Sequence, residues 1–241
     1  RFGDMMAPAI ERRHLDKYAE MLALTPDQKE AASALLEGYE QQSRTQREAM
    51  RAKMDEMREK ARETGDRTGF AAMREIGEKA REDRRKADEG LLTDIKALLT
   101  PQQQERWPAV ERAQRRDQSI RRGFISGERV NLFDLVDEAK LSSEARGPID
   151  TILQDYDMDM DRALVARNAA YEEAFGSFGR MFGQGGDPEK AQEMMDKGRE
   201  AAVKVREVNR RFARQITDAL PEDKKDAFQK SFLRQSFPEV Y

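Results

Sequence analysis

Ala34-Leu35-Leu36-Glu37-Gly38-Tyr39-Glu40 and Thr151-Ile152-Leu153-Gln154-Asp155-Tyr156-Asp157 are two spellings of one pattern, set 117 positions apart (151 against 34). At the same displacement Leu24-Thr25 falls on Leu141-Ser142. At a displacement of 121, Asp94-Ile95-Lys96-Ala97-Leu98-Leu99 falls on Gln215-Ile216-Thr217-Asp218-Ala219-Leu220, and Trp107 falls on Phe228. A four-residue insertion reconciles the two displacements, and the Gly-rich stretch from Gly176 to Pro188 is the place for it. Self-similarity at a fixed period signals a repeated structural unit. The chain therefore reads as an internal duplication, residues 1–122 and 123–241, with the junction at Gly123–Gly127.

Each copy has helical periodicity. Working outward from Leu35, Leu36 and Tyr39, the apolar positions Met50, Met54, Met57 and Ala61 follow mostly at three- and four-residue steps. The spacing predicts a long helix from Pro26 to about Glu63, a break at Thr64–Gly69 and a return helix from Phe70 to Leu98. A short helix over Ala7–Leu22 precedes it, and a last helix runs from Pro101 through Trp107, Val110 and Ala113. The second copy predicts a short helix near Leu132–Lys140 and an outward helix over Ile149–Phe175. A Gly-rich tip, a return helix over Pro188–Leu220 and a closing segment with Phe228, Phe232 and Phe237 follow. The expected fold is all-α: two tandem long antiparallel helical-hairpin repeats, each with short flanking helices.

The bulk composition agrees. Of 241 residues, 38% are hydrophobic and 38% charged, against about 25% charged in ordinary domains. The net charge is −3, and Arg-rich runs such as Arg112–Arg122 are interrupted by acids, which argues against nucleic acid as a partner. There is no cysteine, so disulfides and thiolate metal sites are excluded. No stretch nears the ~20 apolar residues of a membrane span, so membrane insertion is not expected. The chain opens on Arg1, which fits a removed signal peptide.

Two helix starts are spelled nearly alike: Leu24-Thr25-Pro26-Asp27-Gln28 and Leu99-Thr100-Pro101-Gln102-Gln103. Thr offers a side-chain oxygen to the first-turn N–H groups, Pro occupies a position needing no N–H, and Gln reaches back to complete a capping box. Leu-Thr-x-x-Gln thus occurs twice in one copy, entering the outward helix and just after the returning one. This arrangement resembles the periplasmic LTxxQ proteins of the Spy/CpxP type. The second copy departs from it, with Leu141-Ser142-Ser143-Glu144-Ala145 and Leu220-Pro221-Glu222-Asp223-Lys224 at the corresponding places. The resemblance implies a helical stress protein that holds unfolded clients on a concave face through basic and apolar contacts, without ATP. In that family the face belongs to an antiparallel dimer, which two fused copies would mimic within one chain.

Other constellations are weaker. His14, the single histidine, lacks metal-ligand or nucleophile spacing and reads as a helix-surface residue. Asp155, Asp157, Asp159 and Asp161 open like a calcium loop, but Met160 stands where Gly is needed and Ala166 where Glu is needed, so they read as a solvated acidic face. The methionines read as helix seam or adaptable contact surface before copper ligands. Phe178, Met181 and Phe182 on the Gly-rich tip suggest a docking point or a loop folded back on the hairpin.

No catalytic constellation and no cofactor site emerges. The expected contact surface is Arg47, Met50, Arg51, Met54, Met57 and Arg58, with Phe178 and Phe182. The leading expectation is an ATP-independent periplasmic chaperone-like protein with unfolded client proteins as partners. Its alternatives are a structural subunit with one fixed protein partner and, more weakly, a metal-responsive envelope protein. A homo-oligomer is among the states expected.

Overall fold

The computed structural model describes residues 10–64, 69–181 and 188–240, all helix, turn or coil. Nine helices occur among them: α1 (Arg12–Met21), α2 (Pro26–Thr64), α3 (Gly69–Ala97), α4 (Pro101–Gln104), α5 (Trp107–Ile120), α6 (Leu132–Glu138), α7 (Ser143–Met181), α8 (Pro188–Ala219) and α9 (Glu222–Ser236). The protein is all-α. It divides into two compact units, one ending at Val110 and the other beginning at Glu111, so the division falls inside α5, ahead of Gly123–Gly127.

Local chemistry accounts for the long elements. α2 is 39 residues rich in Ala, Glu, Gln, Lys and Arg, the strong helix formers, and spans about 58 Å. Ion pairs such as Lys60–Glu56, Lys86–Glu82 and Arg85–Glu89 lie at i,i+4 on the exposed faces of α2 and α3. The expected last helix from Pro101 is instead two pieces. Pro108 has no N–H to donate and its ring crowds the preceding turn, so α4 ends at Gln104 and α5 begins afresh at Trp107. The outward helix of the second unit starts earlier than expected, at Ser143, and carries Pro148 as its sixth residue, where the missing N–H leaves Glu144 O without its intrahelical donor. It also runs past the expected stop at Gly176, to Met181, because an interior Gly weakens a helix by only about 1 kcal/mol.

The two units share detailed geometry. α2 and α7 start at 26 and 143 and end at 64 and 181, both at the 117-residue displacement of the sequence blocks. Ala23 and Lys140, at that displacement, are the only described non-glycine residues with positive φ, at 50° and 47°. In the first unit Tyr39 Oη donates to Asp88 Oδ1 at 2.6 Å; in the second Tyr156 Oη donates to Asn209 Oδ1 at 3.0 Å. Residues 88 and 209 stand at the other displacement, 121.

Their cores differ. In the second unit Leu132, Leu135, Ile149, Leu153, Tyr156, Met160, Phe212 and Ile216 form one continuous apolar cluster with Phe228 of α9. In the first, buried apolar residues concentrate near the helix ends, at Leu15, Tyr18, Leu22, Leu36, Ile95 and Trp107, and along the distal arm Met50 is the last buried residue of α2 described.

Candidate functional site

The base of the first unit is closed by the two Leu-Thr-x-x-Gln motifs acting on each other. Each begins as a capping box. Gln28 N donates to Thr25 Oγ1 at 3.3 Å and Thr25 N to Gln28 Oε1 at 3.0 Å; Gln103 and Thr100 repeat this at 3.3 and 3.0 Å. The same amides then pair reciprocally: Gln28 Nε2 donates to Gln103 Oε1 at 2.8 Å and Gln103 Nε2 to Gln28 Oε1 at 2.9 Å. Their second amide hydrogens go to Leu98 O at 2.8 Å and Ala23 O at 3.2 Å. Each amide thus uses both donors and both acceptor sites, which a half-exposed Gln rarely does. Leu24 and Leu99 are buried beside them, while Thr25, Pro26, Thr100 and Pro101 face solvent. Sequence reading finds the caps but not the pairing, because nothing local shows that residues 28 and 103 meet.

From this base α2 and α3 extend side by side. Two concavities lie between them. The smaller, about 150 Å³, is lined by Arg47, Met50, Lys53, Ile76, Ala80 and Arg84, among others. The larger, about 550 Å³, is lined by Leu35, Gly38, Tyr39, Lys86, Gly90 and Leu91, among others. A Cβ built on Gly38 or Gly90 would meet nothing within 4 Å. Burial holds the Asp88 carboxyl above its ordinary value of 3.8, against the hydrogen bond from Tyr39 and the charge of Arg84.

Of the expected contact residues, Met50 and Arg47 line the smaller concavity, Met54 and Met57 are half-buried, and Arg51 and Arg58 are exposed. Arg47 Nε donates to Ser43 O, and Arg58 pairs with Asp55 at 3.3 Å. Phe182 and the side chain of Phe178 lie outside the described residues. Ile76, Lys79 and Arg84 on α3 were missed because they face the groove only once α3 is laid against α2.

Two expectations need correcting. His14 is not a bare surface residue: its Nδ1 accepts from Glu11 N at 2.9 Å, closing the N-terminus of α1. The Asp ladder of α7 is a solvated acidic face only at Asp155, which is exposed. Asp157 is 8% exposed and pairs with Arg112 and Arg116, Asp161 pairs with Arg115 at 2.7 Å, and Asp159 pairs with Arg162 and Arg211. The Arg-rich run and the Asp ladder neutralise each other across α5 and α7.

Near them Arg167 and Glu128, both 0% exposed, pair at 2.7 Å. Glu128 Oε2 also accepts from Phe124 N at 2.7 Å and Ile125 N at 3.0 Å. The glycines that read as a junction permit this tight turn. A Cβ on Gly123 would stand 2.9 Å from Glu128 Cβ, and Gly127 has φ +82°. Burial, with the negative charge of Glu128, pushes the Tyr171 hydroxyl up to about 12.

The second unit has no Gln–Gln clasp. Ser142 Oγ still accepts from Ala145 N at 3.3 Å, but Pro221 heads α9 without a side-chain cap. Among the described residues no group of three or more His, Asp or Glu side chains is placed to hold a metal ion, and no helix is long and apolar enough to cross a membrane.

No curated protein and no solved structure matches the chain. One family model does, described as LTXXQ motif family protein, over residues 10–111. That span covers the clasped first unit, both capping boxes and the α2/α3 pair, so the similarity to the LTXXQ motif family lies in the first unit.

Proposed function

We propose that this chain is an ATP-independent, chaperone-like binding protein of the periplasm, Spy-like in kind, serving a stress-protective role and carrying no catalytic activity. The observation that carries the reading is the α2/α3 arm of the first unit. Its base is clasped by Gln28 and Gln103, while along its length apolar side chains, Met50 and Ile76, line a concavity rimmed by Arg47, Lys53 and Arg84. Methionine adapts its shape to varied partners, and guanidinium and ammonium groups donate hydrogen bonds to carboxylate and carbonyl oxygens of an unfolded chain. Similarity of the first unit to the LTXXQ family supports the same reading, since such proteins are typically periplasmic and non-enzymatic.

The test mixes the protein with two unrelated, chemically denatured clients at near-equal molar ratio without ATP, following light scattering at low and moderate salt. Suppression of both clients, weaker at higher salt, is the expected result. Protection of neither would leave a structural subunit with one stoichiometric partner as the better reading.

A further inference from the structure

The repeat supplies its own template for what the first unit binds. In the second unit one stripe of α7, Asp157, Asp161, Asn168 and Tyr171, with the buried Leu164 among them, is met by side chains of α5 and of the residues just beyond it. Within that unit Arg112 and Arg116 of α5 reach Asp157, Arg115 reaches Asp161, and Asn168 Nδ2 donates to Ser119 Oγ at 2.8 Å. Phe124, just beyond α5, stacks edge-on against Tyr171 with ring centroids 5.3 Å apart. Residue numbers rise together along α5 and α7, so the two helices run parallel.

At the 117-residue displacement this stripe corresponds on α2 to Glu40, Arg44, Arg47, Arg51 and Met54. The charge is kept at one position and reversed at the next: Glu40 stands where Asp157 does, Arg44 replaces Asp161, Arg47 and Arg51 replace Leu164 and Asn168, and one further turn along stands Arg58. The stripe is open where its counterpart is closed. The Asp161 side chain is 18% exposed, whereas that of its counterpart Arg44 is 62% exposed; Leu164 is buried and its counterpart Arg47 half-buried, and Arg51 has no carboxylate partner among the described residues. Among the described residues the ion pairs along it are the local Arg44–Glu40 contact at 3.9 Å and Arg58–Asp55.

We infer that this stripe of α2 is a docking track for an acidic amphipathic helix of a partner protein, lying parallel to α2 as α5 lies along α7. The partner would present Asp or Glu at three- and four-residue spacing toward Arg44, Arg47 and Arg51, beside an apolar row that meets the half-buried Met54. A polyanion such as nucleic acid or an anionic membrane fits less well, because Glu48, Asp55, Glu56 and Glu59 flank the arginines on the same helix. The inference rests on the protein-binding reading above and names the partner's chemistry.

The experiment uses the full chain and a synthetic amphipathic helix bearing Glu opposite a Leu row, with Gln and Lys versions of the same peptide, read by fluorescence anisotropy. Single-stranded RNA and vesicles of anionic lipid serve as polyanion probes. The variant is R44E/R47E/R51E, checked for unchanged helical content and melting. The Glu peptide should bind about tenfold or more tightly than the Gln peptide, and the variant should lose that preference and favour the Lys peptide. Equal binding of Glu and Gln peptides, an unaffected variant, or binding of RNA or vesicles in preference to the Glu peptide would each overturn the inference. Client protection is scored separately. Suppression of aggregation without Glu-peptide binding sinks this inference alone, and Glu-peptide binding without suppression sinks the chaperone reading alone.

Discussion

Replacing Gln28 with Glu separates a helix cap from a clasp. A capping box accepts Glu as readily as Gln at its third helical position, and a negative charge at a helix N-terminus is favourable. If Gln28 only capped α2, Q28E would be neutral or slightly stabilising. The structure gives its amide a second task. Nε2 donates to Leu98 O and to Gln103 Oε1, both at 2.8 Å, and a carboxylate can do neither. Two donated bonds are lost and two acceptor oxygens are left facing a third. At about 1 kcal/mol net for each bond, Q28E should destabilise the first unit by about 2 kcal/mol, partial exposure tempering the repulsion. The readout is intrinsic fluorescence during urea unfolding. Trp107 is the single tryptophan of the chain, is 3% exposed and lies in the clasped unit, so it reports that unit specifically. Protonating the new Glu restores one donor, so the deficit should shrink as pH falls below about 4.3. A cycle of Q28A, Q103A and the double variant should show a coupling of about 1–2 kcal/mol. Q28E within about 0.3 kcal/mol of the parent at neutral pH, or additive alanine variants, would refute the clasp.

Other consequences follow from the same coordinates. Arg167→Met leaves Glu128 charged and buried, and should destabilise the second unit by about 3–5 kcal/mol in thermal unfolding followed by circular dichroism; adding E128Q should recover part of the loss. Ala23→Gly relieves a left-handed backbone at φ 50° and should raise stability by about 0.5–1 kcal/mol in the fluorescence-detected transition. Burial raises the Asp88 carboxyl in the folded state, so its contribution is fully present below the ordinary value of 3.8 and is lost as pH rises through the raised value. D88N, which copies Asn209 of the second unit, should therefore match the parent in acid and exceed its stability at neutral pH.

Much of the fold is legible because its elements are long and locally consistent. α2 begins at Pro26 as Thr25 and the proline dictate, and ends within a residue of the expected Glu63. The displacement of 117, visible in two short blocks, reappears in the bounds of α2 and α7 and in the paired left-handed residues Ala23 and Lys140. The site is less legible because its chemistry is long-range. Gln28 and Gln103 are 75 residues apart in sequence. The Asp ladder of α7 reads as solvated charge until topology sets Arg112 and Arg116 on Asp157. Gly123 and Gly127 read as a linker because Gly marks both loose junctions and tight approaches, and only the buried carboxylate of Glu128 distinguishes the two here.

The most direct test of the binding surface is hydrogen–deuterium exchange of the full chain with and without an excess of a denatured client. Slowed exchange confined to α2 around Arg44–Arg58 and to α3 around Ile76–Arg84 is the predicted result. Protection found only in α7–α9, or none at a client concentration that suppresses scattering, would contradict the assignment of the α2/α3 arm as the binding surface.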